Sequence, residues 1–150
     1  MTEYYILWID DDVDNSELAP EVDALKEMGC HITSVTNPDE LQTRMFASFD
    51  CIIIDLSLPI GKKFSPAETQ FGARTGFVLL KMIKEKHPTA KTIVYSVFDA
   101  PEVINYCRNN NIPYWNKSQY LADDFAKDVM NVINTGALTF ENGITREELH

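Results

Sequence analysis

Residues 4–12 read YYILWIDDD, and residues 51–59 read CIIIDLSLP. Each is a short run of branched and aromatic side chains that stops at aspartate. The runs are too short for a typical helix and are not interrupted by polar positions, so they read as strands buried on both faces. TIVYSV (92–97) and IPYW (112–115) follow the same pattern, and the weaker HITSV (31–35) makes a fifth strand.

The segments between these runs carry helical spacing. Leu18, Val22, Leu25 and Met28 mark a first helix; Gly29 is placed to end it, and Pro20 is tolerable only in its first turn. Leu41, Met45 and Phe49 mark a second. Phe77, Leu80 and Ile83 mark a third, stopped before Pro88. Val103, Ile104 and Cys107 mark a fourth. Leu121, Phe125, Val129, Val132 and Ile133 mark a fifth, with Gly136 after it. Five strands alternating with five helices predict an α/β, doubly wound fold: a parallel sheet joined by right-handed crossovers, with helices on both faces. Sites in such folds lie at the carboxyl ends of the strands.

Composition sets the outer bounds. The chain has 150 residues, 45% of them hydrophobic, which suits one globular domain with one core. Its 23 acidic against 13 basic residues give a formal charge of −10, so an overall basic footprint for nucleic acid is absent. Cys30, Cys51 and Cys107 form no C-x-x-C pair and are odd in number, as expected of buried thiols in a reduced, cytoplasmic protein. The first apolar run stops at Asp10, Asp11 and Asp12, too soon for a signal peptide or a membrane span.

The predicted strand ends carry the chemistry. Strand one ends in Asp10 and Asp11, strand three in Asp55 followed by Ser57, strand four near Ser96, and strand five at Lys117. If the strand order is 2-1-3-4-5, strands one and three are neighbours and Asp10, Asp11 and Asp55 converge. Converging carboxylates repel and raise each other's pKa values. A hard divalent cation relieves this, and carboxylates combined with waters and phosphate oxygens suit Mg²⁺. Asp12 and Asp14 read as ordinary cap or loop residues. Lys117 adds a positive charge to this edge and Ser96 a hydroxyl.

The stretches ILWIDDD, CIIIDLSLP, TGFVLLKMIK, IVYSV and YWNK together resemble the receiver domain of two-component response regulators, over most of residues 4–135. The resemblance implies a single flavodoxin-like (βα)5 domain over 1–135 and a tail or linker over 136–150. It implies Asp55 as phosphoacceptor, Mg²⁺ as cofactor, Asp11 touching the metal directly, Asp10 acting through water, and the Ser57 backbone carbonyl as a further ligand. Lys117 would pair with one phosphoryl oxygen and Ser96 with another, helped by the amides of Ser57 and Val97. Tyr114, three residues before the lysine, matches the switch aromatic. The implied partners are a histidine kinase or phosphotransfer protein and a downstream protein or output domain, with no direct nucleic-acid binding and no membrane. Such a chain is a signalling phosphoacceptor rather than an enzyme. It changes shape across the fourth helix, fifth strand and fifth helix, and then loses its phosphoryl group to water.

Two features depart from the family pattern. Ser118 stands where receivers usually have proline after the lysine, so the following loop is expected to be trans and differently shaped, or strained, with consequences for the reach of Lys117. Residues Ile60–Thr75, IGKKFSPAETQFGART, add roughly a dozen positions to a connection that is usually short. They carry Lys62, Lys63 and Arg74, with Phe64 and Phe71 available to pack, and read either as a surface excursion or as a lid or docking element. Two other functions compete. A haloacid-dehalogenase-like phosphatase would use Asp10 as nucleophile, with Ser96, Lys117 and the pair Asp123–Asp124. A receiver-like binding module would work without phosphate. The tail stretch Thr145–Glu148 reads as a capping box opening a helix.

Overall fold

The structure, a computed structural model, describes residues 2–58, 75–97, 100–135, 139–141 and 144–145. The expected loop over 60–75 lies outside these residues, apart from Thr75, and so does the capping-box stretch beyond Thr145. Five parallel strands form the sheet: β1 (Tyr4–Ile9), β2 (Cys30–Val35), β3 (Cys51–Ile54), β4 (Thr92–Ser96) and β5 (Tyr114–Asn116). Their order is β2-β1-β3-β4-β5. Ile9 lies beside both Val35 and Ile54, and Ser96 beside Asn116, which brings the strand ends level with one another.

Among the described residues, four α-helices cover the sheet: α1 (Ala19–Glu27), α2 (Thr75–Lys86), α3 (Pro101–Asn109) and α4 (Ala122–Thr135). Side chains alternate across each strand. Leu7, Ile9, Ile52, Ile54 and Val94 therefore face α2 and α3, joining Phe77, Leu80, Ile83 and Val103. Ile6, Trp8, Ile53, Tyr95 and Trp115 face the other way, joining Leu25 of α1 and Phe125, Val129 and Val132 of α4. The second face is rich in aromatic rings; Phe125 stacks on Trp8 at 5.4 Å and lies 4.3 Å from Tyr95 between centroids.

The helix predicted around Leu41, Met45 and Phe49 is instead a pair of 3-10 turns, Pro38–Glu40 and Thr43–Ser48. The Asn37 side chain caps the Asp39 amide at 2.9 Å, and Leu41 then adopts an extended conformation that stops the turn. Leu41 and Phe46 are the residues buried, while Met45 and Phe49 only pack alongside. Spacing of three apolar residues matched a helix, but the local caps divided the segment. Leu121, expected on the last helix, is 74% exposed just before α4 begins. Pro20 does sit in the first turn of α1, and Gly29 follows it at φ +92°, where a side chain would be strained. Beyond α4, Thr139–Glu141 and Ile144–Thr145 form a small antiparallel hairpin whose first strand lies against β5. No helix among the described residues is long and apolar enough to cross a membrane.

Candidate functional site

Asp10 and Asp55 are each one residue past the end of a strand, and their backbones still belong to the sheet. The Asp10 amide donates to Val35 O and the Asp55 amide to Ile9 O, both at 3.0 Å. The two carboxylates are thus fixed on neighbouring strands at the carboxyl edge. Asp10 is fully buried and Asp55 is 4% exposed. Lys117 Nζ donates to Asp10 Oδ2 at 2.6 Å and to Asp55 Oδ2 at 3.1 Å. Ser96 Oγ donates to Asp55 Oδ1 at 2.7 Å, and the Ser57 amide approaches the same oxygen at 3.4 Å. Asp10 Oδ1 accepts the Asp12 amide at 2.9 Å. Four strand ends therefore meet on one pair of carboxylates.

The support behind Asp55 is a glycine contact. The first turn of α2 runs close to the backbone of residues 55 and 56, and the Gly76 amide donates to Leu56 O at 3.0 Å. A Cβ at position 76 would lie 2.0 Å from Asp55 O and 2.6 Å from Leu56 Cα. Only glycine allows this approach.

The loop after β5 answers the question raised by Ser118. No peptide bond among the described residues is cis, so the Lys117–Ser118 bond is trans. Asn116 Oδ1 accepts both the Ser118 amide at 2.9 Å and the Ser118 hydroxyl at 2.6 Å. This cap starts a 3-10 turn over Lys117–Gln119. Lys117 reaches both aspartates without a proline after it.

Electrostatics follow from this packing. Burial, reinforced by the Asp55 charge, pushes the Asp10 carboxyl up to about 6, although Lys117 pulls it back. Burial, then Asp12 and Asp55, raises the more exposed Asp11. Burial alone would lower the Lys117 pKa, but Asp55 and Asp10 outweigh it and the net direction is upward. The site thus holds more negative charge than one lysine balances. One carboxylate oxygen from each of Asp10, Asp11 and Asp55 lies within 4.8 Å of the others. An all-oxygen donor set under like-charge strain fits a hard divalent cation. Cys30, Cys51 and Cys107 are free and buried, and none joins this group.

A cleft of about 550 Å³ opens over Asp11, Asp55 and Lys117. Val97, 57% exposed, and Ser57 line it from the β4 and β3 sides. Its rim also carries residues that the sequence did not single out, Glu17, Glu21 and Tyr120, together with Asp12, which read as an ordinary loop residue. Glu17, in the turn before α1, and Glu21, in its first turn, are four residues apart. That spacing is a usable signal only once α1 is known to border the site. Tyr114 lies apart from the cleft, 4% exposed and packed on the α2–α3 face. Asp123 and Asp124 open α4 rather than follow a strand, so they are not brought to the carboxylate pair.

No protein-family model matches the sequence, and no curated protein matches it. Solved structures do match. The isolated receiver domain of RcsB from Salmonella enterica serovar Typhimurium, solved with the phosphomimetic BeF3⁻, shares 19% identity at a TM-score of 0.69, covering 93% of this chain and 94% of that one. The response regulator DrrB of Thermotoga maritima shares 16% identity at 0.62, covering 90% of this chain; the present chain spans only 54% of DrrB. A Burkholderia pseudomallei response regulator with a phosphorylated aspartic acid and a calcium ion shares 15% identity at 0.59, covering 89% of this chain and 68% of that one. Topology, strand order and these superpositions agree: the chain has the fold of response-regulator receiver domains.

Proposed function

We propose that the chain is a receiver unit, built on residues 1–135, that accepts a phosphoryl group on Asp55. The observation that carries this reading is the shared lysine: Lys117 bridges Asp10 and Asp55 while Ser96 holds the other Asp55 oxygen. Asp55 is thereby an oriented nucleophile at the floor of an open cleft. Asp11, Asp55 and the Ser57 carbonyl would hold Mg²⁺, with Asp10 acting through water. When bound, the ion supplies charge neutralisation for the transferring phosphoryl oxygens. The BeF3⁻ and calcium in similar structures support this assignment by analogy.

The transfer itself needs little covalent help from the chain. An Asp55 oxygen forms a bond to phosphorus as the P–N bond of a phosphohistidine breaks. The leaving imidazole nitrogen keeps the electron pair and later takes a proton. Lys117 shifts its donation from the carboxylate to a phosphoryl oxygen, Ser96 donates to a second, and the Ser57 and Val97 amides assist. Water then attacks phosphorus and releases inorganic phosphate, restoring Asp55. The donor is a histidine kinase or phosphotransfer protein, and the chain acts as a cytoplasmic signalling phosphoacceptor rather than a turnover enzyme.

Ser96 and Tyr114 connect the site to a surface. Ser96 ends β4 beside Asn116 of β5, and Tyr114 packs in β5 against the α3 side. Movement of Ser96 toward a phosphoryl group would let Tyr114 fill the vacated space, biasing α3, β5 and α4 toward a second arrangement read by a downstream protein or output domain. Intact mass spectrometry tests the reading. With Mg²⁺ and acetyl phosphate at high ionic strength, wild type should gain one hydroxylamine-sensitive phosphoryl adduct that Asp55→Asn lacks. An adduct that persists in Asp55→Asn would contradict it.

A further inference from the structure

The rim of the cleft has a fixed charge pattern. Asp11, Asp12, Glu17 and Glu21 line it together with Asp55, and Lys117 is the one cationic side chain lining it among the described residues. Asp12 and Glu21 are held by their side chains, and Glu17 by its backbone. Asn15 Nδ2 donates to Asp12 Oδ1 at 2.8 Å, and Asn15 Oδ1 accepts the Glu17 amide at 2.9 Å, so one asparagine ties Asp12 to the start of the Glu17 segment. The Tyr95 hydroxyl donates to Glu21 Oε2 at 3.4 Å and anchors that carboxylate from inside the aromatic face. Asp10 lies fully buried beneath them.

A divalent cation bound at Asp10, Asp11 and Asp55 would not neutralise this rim. Among the described residues, six carboxylates, Asp10, Asp11, Asp12, Glu17, Glu21 and Asp55, face one lysine and one dication, and their balance stays negative. Phosphoryl donors are themselves anionic. A low-dielectric cleft lined by one sign of charge alters the local concentration and on-rate of an entering ion. For a small free donor the effect here is repulsion. For a phosphohistidine carried on a surface of lysines and arginines the same field is attractive.

We propose that Asp12, Glu17 and Glu21 select the phosphodonor: they hold off small free phosphoanions and favour a phosphohistidine presented by a basic protein surface. This rests on Asp55 being the phosphoacceptor; a P–O bond to Asp55 forms as P–N of a phosphohistidine breaks, or, with acetyl phosphate, as its P–O bond breaks and acetate leaves with the electron pair. The three residues need not touch the phosphoryl group; they act through their field on its approach.

The test measures the rate of adduct formation on the intact chain at saturating Mg²⁺. Donors are acetyl phosphate, a phosphohistidine peptide flanked by lysines, and the same peptide flanked by glutamates. With acetyl phosphate, the wild-type rate should rise about 5-fold from low to high ionic strength, as screening removes repulsion. Glu17→Gln with Glu21→Gln should raise the low-salt rate by a similar factor and flatten the salt response. The lysine-flanked peptide should react faster than the glutamate-flanked one, and lose that advantage in the double variant. Glutamine at 21 can still accept from Tyr95, and Glu17→Gln alone touches only an exposed side chain, so one of the two will fold; the wild-type salt series needs no variant. An acetyl phosphate rate that is flat or falls with salt, or is unchanged in the variants, overturns the proposal while leaving the Asp55 reading intact. No adduct on wild type from any donor at any salt overturns both.

Discussion

Asp55 on the floor of the cleft and Asp10 buried beside it carry the same functional group as Asp12 and Glu17 on the rim, in opposite settings. The floor carboxylates are buried, held by strand-end backbone bonds, and share one ammonium at 2.6 and 3.1 Å. Glu17 is exposed and held only through its backbone to Asn15. In the interior a charge pair is worth several times its value at the surface. Floor carboxylates therefore act as individually placed chemical groups, whereas rim carboxylates act as a screened field. What distinguishes the proposed nucleophile from a solvated acid here is where the chain leaves the sheet.

The largest effect expected is on the floor. Asp55→Asn should lower phosphorylation at least ~10³-fold, as loss of a nucleophile does. It should also stabilise the cation-free protein by about 1–2 kcal/mol, because Lys117 then balances Asp10 alone in a buried site. Urea unfolding in chelator would show this, and a loss of stability would mean that the two aspartates do not strain each other. Lys117→Met should slow phosphorylation roughly 10²-fold, the usual effect of deleting one preorganised donor. It should also cost about 3 kcal/mol in chelator, since two buried carboxylates lose their counter-charge.

Gly76→Ala probes the backing of Asp55 instead of its charge. A methyl group placed 2.0 Å from Asp55 O must push α2 and the Asp55 strand end apart. A cost of about 3 kcal/mol is expected, with slower phosphorylation even where the fold survives. Unchanged stability would show that this contact is softer than its geometry implies.

Asp10 sharpens the comparison through pH. Its carboxyl is raised from 3.8 to about 6, chiefly by burial. The folded chain therefore keeps this proton up to about pH 6, while the unfolded chain releases it near 3.8. The stabilisation is fully present below the lower value and lost as pH rises through the higher one. In chelator, wild type should lose on the order of 2–3 kcal/mol between about pH 4 and 6.5 relative to Asp10→Asn. Glu17→Gln, on the rim, should change stability by less than about 0.5 kcal/mol at either pH. A pH response of equal size in the two variants would erase the distinction between floor and rim.

Most of this geometry could be read from the chain because strand ends are marked twice, by an apolar run and by the polar residue that stops it. Asp10 and Asp55 were legible for that reason, Ser96 lies one residue inside its run and Lys117 one past the Asn116 stop, and the parallel sheet then had to bring them together. The segment from Leu41 to Phe49 failed because its apolar spacing said nothing about the Asn37 cap, which settles the local backbone first. Ser118 raised doubt about Lys117 because proline is the expected solution there; Asn116 supplies another, visible only once its side chain is seen folded back on Ser118. Glu17 and Glu21 stayed hidden because charge around a helix start is ordinary until that helix is placed beside a cleft.

The most direct measurement of the central claim is to locate the acyl phosphate. Wild type treated with phosphodonor and Mg²⁺, reduced with borohydride and mapped by peptide mass spectrometry, should carry homoserine at position 55 and nowhere else. Homoserine at position 10 would contradict the account and favour a phosphatase-like nucleophile.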